Sequence, residues 1–170
     1  MTGYVALRGT AVLAGHYYDI LTGRLPISVV NAAKYTTSQE EVQKALCIAG
    51  RFGSVTYEVS IGGIYKALRD IADRQSTGIT VYNDRLFIRQ QTVEVCEIID
   101  VNPYYLDGTG SIIAISERGN ELVRALEEAG ITANVIGYTT DNKDKIIINN
   151  GETRYLETRI GDELERLGIY

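Results

Sequence analysis

The sequence predicts an α+β domain, a mixed sheet between helical layers, on three observations. Candidate strands and helices are interspersed without the strict alternation of a doubly wound parallel sheet. Three strand-like segments follow one another at the end, and Asn149-Asn150-Gly151-Glu152 carries the Asn-Gly pair favoured in two-residue hairpins. An antiparallel meander is therefore expected there. Finally, no internal repeat, low-complexity segment or Pro/Ser-rich linker divides the 170 residues, so a single domain over 1–170 is expected.

Taken in order, residues 4–14 read as a strand interrupted by Gly9, or as a strand running into a helix. The chain begins inside this element, so a preceding segment is expected. Short helices follow at 16–21 and 26–34, the second with Pro26 near the first-turn position that proline tolerates. Ser38-Gln39-Glu40-Glu41 is a capping-box signature, and Val42, Ala45, Leu46 and Ala49 continue at helical spacing to Gly50. Residues 54–60 read as a buried strand. Ile64, Ala67, Leu68 and Ile71 then mark one face of a helix ending near Gln75. A strand at 78–82, a turn at Asn83-Asp84 and a helix at 89–99 come next. Val95, Cys96 and Ile99 lie on that helix's inner face, which makes Cys96 a small buried hydrophobe rather than a nucleophile. Asn102-Pro103 breaks the pattern before a strand at 111–115 and a helix at 117–129 that Gly130 terminates. Strands at 132–139, 145–149 and 152–156 precede a short closing helix marked by Ile160, Leu164 and Leu167.

Composition narrows the function classes. With 45% apolar and 23% charged residues the chain has the make-up of a soluble globule, and no stretch reaches the ~18–20 apolar residues of a membrane span. No membrane association is expected. A net charge of −5 without a Lys/Arg cluster argues against nucleic acid as a partner. Two separated cysteines and no signal-peptide pattern imply a cytoplasmic, reduced protein. With His16 the only histidine, His/Cys ligands are too few for a zinc site, and no metal ligand is assigned. Surface is the expected place for His16.

Two glycine-centred loops carry the candidate chemistry. Glu58-Val59-Ser60-Ile61-Gly62-Gly63 opens a helix, and Asp107-Gly108-Thr109-Gly110-Ser111 opens a strand. A Gly-Gly run at a helix start offers backbone N–H groups without intrahelical partners, together with the positive end of the helix dipole. Glu58, Ser60, Gly62, Gly63, Gly108, Thr109, Gly110 and Ser111 are thus the candidate phosphate- or nucleotide-contacting residues. Tight turns, with Glu58 and Ser60 merely capping the helix, are the alternative. Asp107 beside Gly108 is first of all a turn residue, although it could also assist a magnesium ion.

These landmarks, in order with the segment Met1-Thr2-Gly3-Tyr4…Gly9-Thr10, the Ile88-Arg89-Gln90-Gln91-Thr92 helix start and the Gly110-Ser111-Ile112-Ile113 strand, resemble the C-terminal half of the aminoimidazole ribonucleotide (AIR) synthase-related superfamily. The closing Gly161-Asp162-Glu163-Leu164 is similar to endings in its hydrogenase-maturation branch. The resemblance covers nearly the whole chain. It implies an α+β domain of partial ferredoxin-like topology and Mg-ATP chemistry shared with an N-terminal half, which holds the acidic nucleotide loop and most Mg2+ ligands. ATP and Mg2+ are expected only with such a partner. Departures from the family pattern are specific. A His-Asp pair followed by Thr-Glu-Gly-Gly is replaced by Tyr57-Glu58, then Ser60-Ile61-Gly62-Gly63. Arg8 stands where the branch usually has Glu. The tail ends Leu167-Gly168-Ile169-Tyr170, without the cysteine that carries the carboxamide. Little or no ATPase activity is expected of the isolated chain. A non-catalytic, self-associating role is the alternative, with Tyr17-Tyr18 and Tyr104-Tyr105 as candidate contact pairs and a homo-oligomer as the partner.

Overall fold

The computed structural model describes residues 1–157 and 161–170. Four helices come first: α1 (Leu7–His16), α2 (Tyr18–Thr22), α3 (Ile27–Ala33) and α4 (Gln39–Arg51). Strands and helices then intersperse as β1 (Val55–Glu58), α5 (Gly63–Gln75), β2 (Gly78–Tyr82), α6 (Gln90–Ile99), β3 (Ile112–Ile115) and α7 (Gly119–Glu128). The chain closes with β4 (Gly137–Thr140), β5 (Lys145–Asn149), β6 (Glu152–Tyr155) and α8 (Glu163–Arg166).

The strands form two sheets. β1 and β3 pair antiparallel, with Glu58 opposite Ile112. The larger sheet is mixed, in the order β4-β2-β5-β6, with β2 and β5 parallel and the other pairs antiparallel. The expected terminal meander is corrected here, because β2 lies between β4 and β5. Its first four residues are all buried, so Gly78-Ile79-Thr80-Val81 takes a central place, while β6 is exposed throughout. The hairpin expectation holds: Asn149 faces Glu152 across a turn in which Asn150 (φ 50°) and Gly151 (φ 82°) are both left-handed.

The first element is also corrected, since residues 7–16 are helical and only an isolated Thr2–Ala133 bridge remains of a strand. A continuous apolar run fits a buried helix as well as a strand. Gly9 lets this helix approach the 106–107 segment, for a Cβ there would lie 2.3 Å from Leu106 Cγ. Residues 55–58 form a strand that is half-exposed rather than buried, and of the 132–139 segment only 137–139 are in a strand, which runs on to Thr140. The closing helix starts at Glu163, and Ile160 lies outside the described residues.

Side-chain burial ties these elements together. Leu13, Leu21, Ile64 and Ile71 are fully buried in the main core, each contributing about 1.5–3 kcal/mol of transfer free energy. A second cluster, including Ala45, Ile48, Ile112, Leu122 and Leu126, joins α4 and α7 to the small sheet. Ser38 Oγ accepts from the Glu41 N–H at 3.1 Å and fixes the start of α4. Between the sheet and α5, the Tyr57 hydroxyl donates to Asp70 Oδ2 at 2.8 Å and Lys66 Nζ donates to the same oxygen at 2.7 Å. Burial pushes the Asp70 carboxyl up, but these two bonds outweigh it and hold the group below its usual range. Among the described residues no helix is long and apolar enough to cross a membrane.

Candidate functional site

The two glycine loops meet. Beyond the β1–β3 pair the Val59 N–H donates to the Ser111 carbonyl at 2.9 Å, after which the Ser60 carbonyl accepts from Gly63 at 3.1 Å and from Gly108 at 3.3 Å. The glycines make this approach possible. A Cβ on Gly63 (φ 73°) would lie 2.5 Å from the Tyr104 carbonyl oxygen, and one on Gly108 would lie 2.6 Å from Val59 Cγ1. All eight predicted residues are brought into one ridge at the start of α5, with Glu58, Ser60 and Thr109 exposed and Ser111 buried.

Most polar groups of this ridge have internal partners. Gly62 N–H donates to Asp162 Oδ2 at 2.7 Å, and Asp162 Oδ1 accepts from Leu164 N–H at 2.9 Å. A buried carboxylate therefore occupies the positive end of α5, as helix electrostatics favours. Burial raises the Asp162 carboxyl above its ordinary value, against the lowering effect of its two backbone donors. In the second loop, Asp107 Oδ1 accepts from the Thr109 N–H at 2.9 Å and from the Thr109 hydroxyl at 2.6 Å. Asp107 Oδ2 takes the Tyr170 hydroxyl at 3.0 Å and Arg8 Nε at 3.2 Å. Ser111 donates its hydroxyl to the Tyr4 carbonyl at 2.9 Å and its N–H to Gly108 at 3.2 Å.

The ridge is thus cross-linked by two carboxylates, Asp107, which the sequence places in the second loop as a turn residue, and Asp162, which sequence reasoning did not place in it. Asp162 lies 100 residues from Gly62. The signal for its local role is the capping box with Glu165, whereas nothing in the sequence pointed to its long-range contact. Asp107 is 1% exposed and fully engaged by Arg8, Thr109 and Tyr170, so it acts as a structural tie. Other expectations resolve simply. Cys96 is buried, and burial, with a smaller push from Glu163, raises its thiol to about 12, which suits an inert core residue. Of the tyrosine contact candidates, Tyr105 is withdrawn from the surface and the other three are half-buried. Tyr105 is buried, Tyr104 stacks on Tyr65 at 4.8 Å between ring centres, and Tyr17 and Tyr18 pack against the core. His16 is on the surface.

The two glycine loops thus join just beyond the β1–β3 pair, at the start of α5, in an α+β domain. Residues 39–149 match the family described as AIR synthase related protein, C-terminal domain, and the chain belongs to that family. It is 29% identical over 112 residues to a putative hydrogenase expression/formation protein of Methanocaldococcus jannaschii, a match covering 62% of this chain and 33% of the relative. Among solved structures, E. coli HypE, a hydrogenase maturation protein, superposes with a TM-score of 0.76 at 18% identity, over 97% of this chain and 50% of that one. A HypE in complex with ATP superposes with a TM-score of 0.53 at 20% identity, over 61% and 35%. The chain therefore spans a third of the curated relative's length and about half of E. coli HypE.

Proposed function

We propose that this chain serves as the second half of an ATP-dependent enzyme. It presents the ridge of Glu58, Ser60 and Thr109 to a nucleotide whose principal phosphate and Mg2+ ligands lie on an AIR synthase-type N-terminal half, separate or covalently joined. The observation that supports this reading is the meeting of both loops at the Ser60 carbonyl, which brings together the exposed residues Glu58, Ser60 and Thr109 from two distant segments. Family membership and the ATP complex of a HypE support a nucleotide as the ligand class.

The ridge by itself does not fit ATP. The N–H groups of Gly62, Gly63, Gly108, Thr109 and Ser111 are bonded to Asp162, Ser60, Asp107 and Gly108, so they form no open phosphate cradle. No phosphoryl-transfer step is assigned to this chain. Its contribution is positional: Ser60 and Thr109 bring hydroxyls, and Glu58 brings an anionic acceptor for a ligand held mainly by the other half. ATP turnover by the isolated chain should remain at background, and turnover that disappears in Glu58→Ala would overturn the reading. With an AIR synthase-type N-terminal half present, Mg-ATP at millimolar concentration should shift the amide resonances of Glu58, Ser60 and Thr109 saturably. Unchanged spectra would overturn it equally.

Self-association is the second reading. It is supported by β6, an outer strand with all four residues exposed and Tyr155 at 70%. Glu152 and Arg154 pair along the same strand and oppose edge-to-edge docking. A mass that rises with concentration in sedimentation, and returns to the monomer value in Thr153→Pro, would favour it.

A further inference from the structure

A second polar site adjoins the ridge, whose Ser111 hydroxyl donates to the Tyr4 carbonyl of the site's wall. A pocket of about 300 Å3, at the lower bound of small-molecule sites, is bounded by Gly3, Tyr4, Tyr35, Thr37, Glu41 and Arg89 among others. No residue of the glycine-loop ridge lines it.

Arg89 belongs to the Ile88-Arg89-Gln90-Gln91-Thr92 landmark, for which the ridge has no use. Its guanidinium carbon lies 5.0 Å from the centre of the Tyr35 ring, and Nη1 makes one long hydrogen bond, 3.4 Å, to the Ala32 carbonyl. A guanidinium has five N–H donors, so most of its capacity is unused by these contacts. Among the described residues Arg89 forms no ion pair. Glu41 lines the same pocket and is half-buried. Its N–H is committed to Ser38 Oγ, yet among the described residues its carboxylate also forms no ion pair.

One cation and one anion therefore share a concave, half-buried space without pairing. The walls are held in place. Gly3 N–H donates to Thr132 at 2.8 Å, the Tyr4 carbonyl accepts from Ser111, and Val5 N–H donates to Phe87 at 2.8 Å. A ligand carrying only negative charge meets Glu41, and one carrying only positive charge meets Arg89. A ligand with both charges satisfies the two at once, and a carboxylate matches the planar fork of a guanidinium.

We propose that this pocket binds a free α-amino acid, with its carboxylate on Arg89, its ammonium toward Glu41 and its side chain beside Tyr4 and Tyr35. The amino-acid ligand is assigned to residues other than Glu58, Ser60 and Thr109, so its test can fail or succeed separately from that of the nucleotide reading.

The test is calorimetric titration of the intact chain with each of the twenty protein amino acids, and with acetate, inorganic phosphate and methylamine as single-charge probes. At least one amino acid should bind saturably, and none of the three probes should match it. In wild-type protein the amide shifts caused by that amino acid should centre on Tyr4, Tyr35, Thr37, Glu41 and Arg89. Arg89→Lys and Glu41→Gln should each weaken binding about tenfold or more while the melting temperature stays close to wild type. The proposal fails if no amino acid binds at millimolar concentration, if acetate or phosphate binds as well, if the shifts centre elsewhere, or if folded Arg89→Lys binds unchanged. The wild-type shift map decides the matter even where a variant does not fold.

Discussion

The glycine-loop ridge and the Arg89–Glu41 pocket are opposites. The ridge has the sequence marks of an anion site, yet the N–H groups of Gly62 and Thr109 are taken by buried carboxylates and those of Gly63, Gly108 and Ser111 by backbone carbonyls. The pocket has no sequence mark beyond a helix start, yet it leaves a guanidinium and a carboxylate without charged partners among the described residues. Glycine marks where backbones must come close, and a ligand site requires polar groups that the fold leaves open. The first property is local; the second emerges only from tertiary placement.

The contrast can be broken most forcefully at Gly63. Its left-handed φ of 73° and the 2.5 Å approach of a Cβ to the Tyr104 carbonyl make Gly63→Ala incompatible with the joint. A loss of about 3 kcal/mol or more is expected in urea unfolding. A loss below about 1 kcal/mol would mean that the loops are not locked by packing.

Asp162→Ala comes next. It strips Gly62 and Leu164 of a buried charged acceptor, and a loss of about 2–3 kcal/mol is expected. The same residue carries a pH signature. Burial raises the folded carboxyl above its ordinary 3.8, so the folded state keeps this proton to higher pH than the unfolded state does. Its contribution is fully present below 3.8 and is lost as pH rises through the raised value. Relative to Asp162→Asn, wild-type protein should therefore lose unfolding free energy as pH rises above 3.8, and an opposite slope would refute the assignment.

The smallest effects sharpen the other side of the comparison. Glu58→Ala and Glu41→Gln remove carboxylates that have no ion-pair partner among the described residues, and each should change stability by less than about 0.5 kcal/mol in the same assay. A larger loss would show that these groups support the fold rather than face a ligand.

Much of the fold can be read from local pattern. Ile64, Ala67, Leu68 and Ile71 announce α5, Ser38 announces the start of α4, and Asn150-Gly151 announces the final hairpin. The rest depends on pairings between distant segments. The apolar run around Leu7 and Leu13 fits a buried helix as well as a strand, and the Leu106 contact of Gly9 is invisible along the chain. The insertion of β2 between β4 and β5 is likewise set by burial and long-range register. At the candidate site, the two glycine loops singled out in the sequence do meet, at the Ser60 carbonyl. Their internal partners, Asp162 above all, lie too far along the chain for spacing to reveal.

As proposed, the ridge is a closed joint that would meet a nucleotide through its exposed side chains. Amide hydrogen exchange, followed residue by residue together with an AIR synthase-type N-terminal half, with and without saturating Mg-ATP, separates a closed joint from an open cradle. Gly62 and Gly63 should keep their protection while the resonances of Glu58, Ser60 and Thr109 respond to the nucleotide. Loss of protection at Gly62, with its amide released from Asp162 to the ligand, would refute the closed joint.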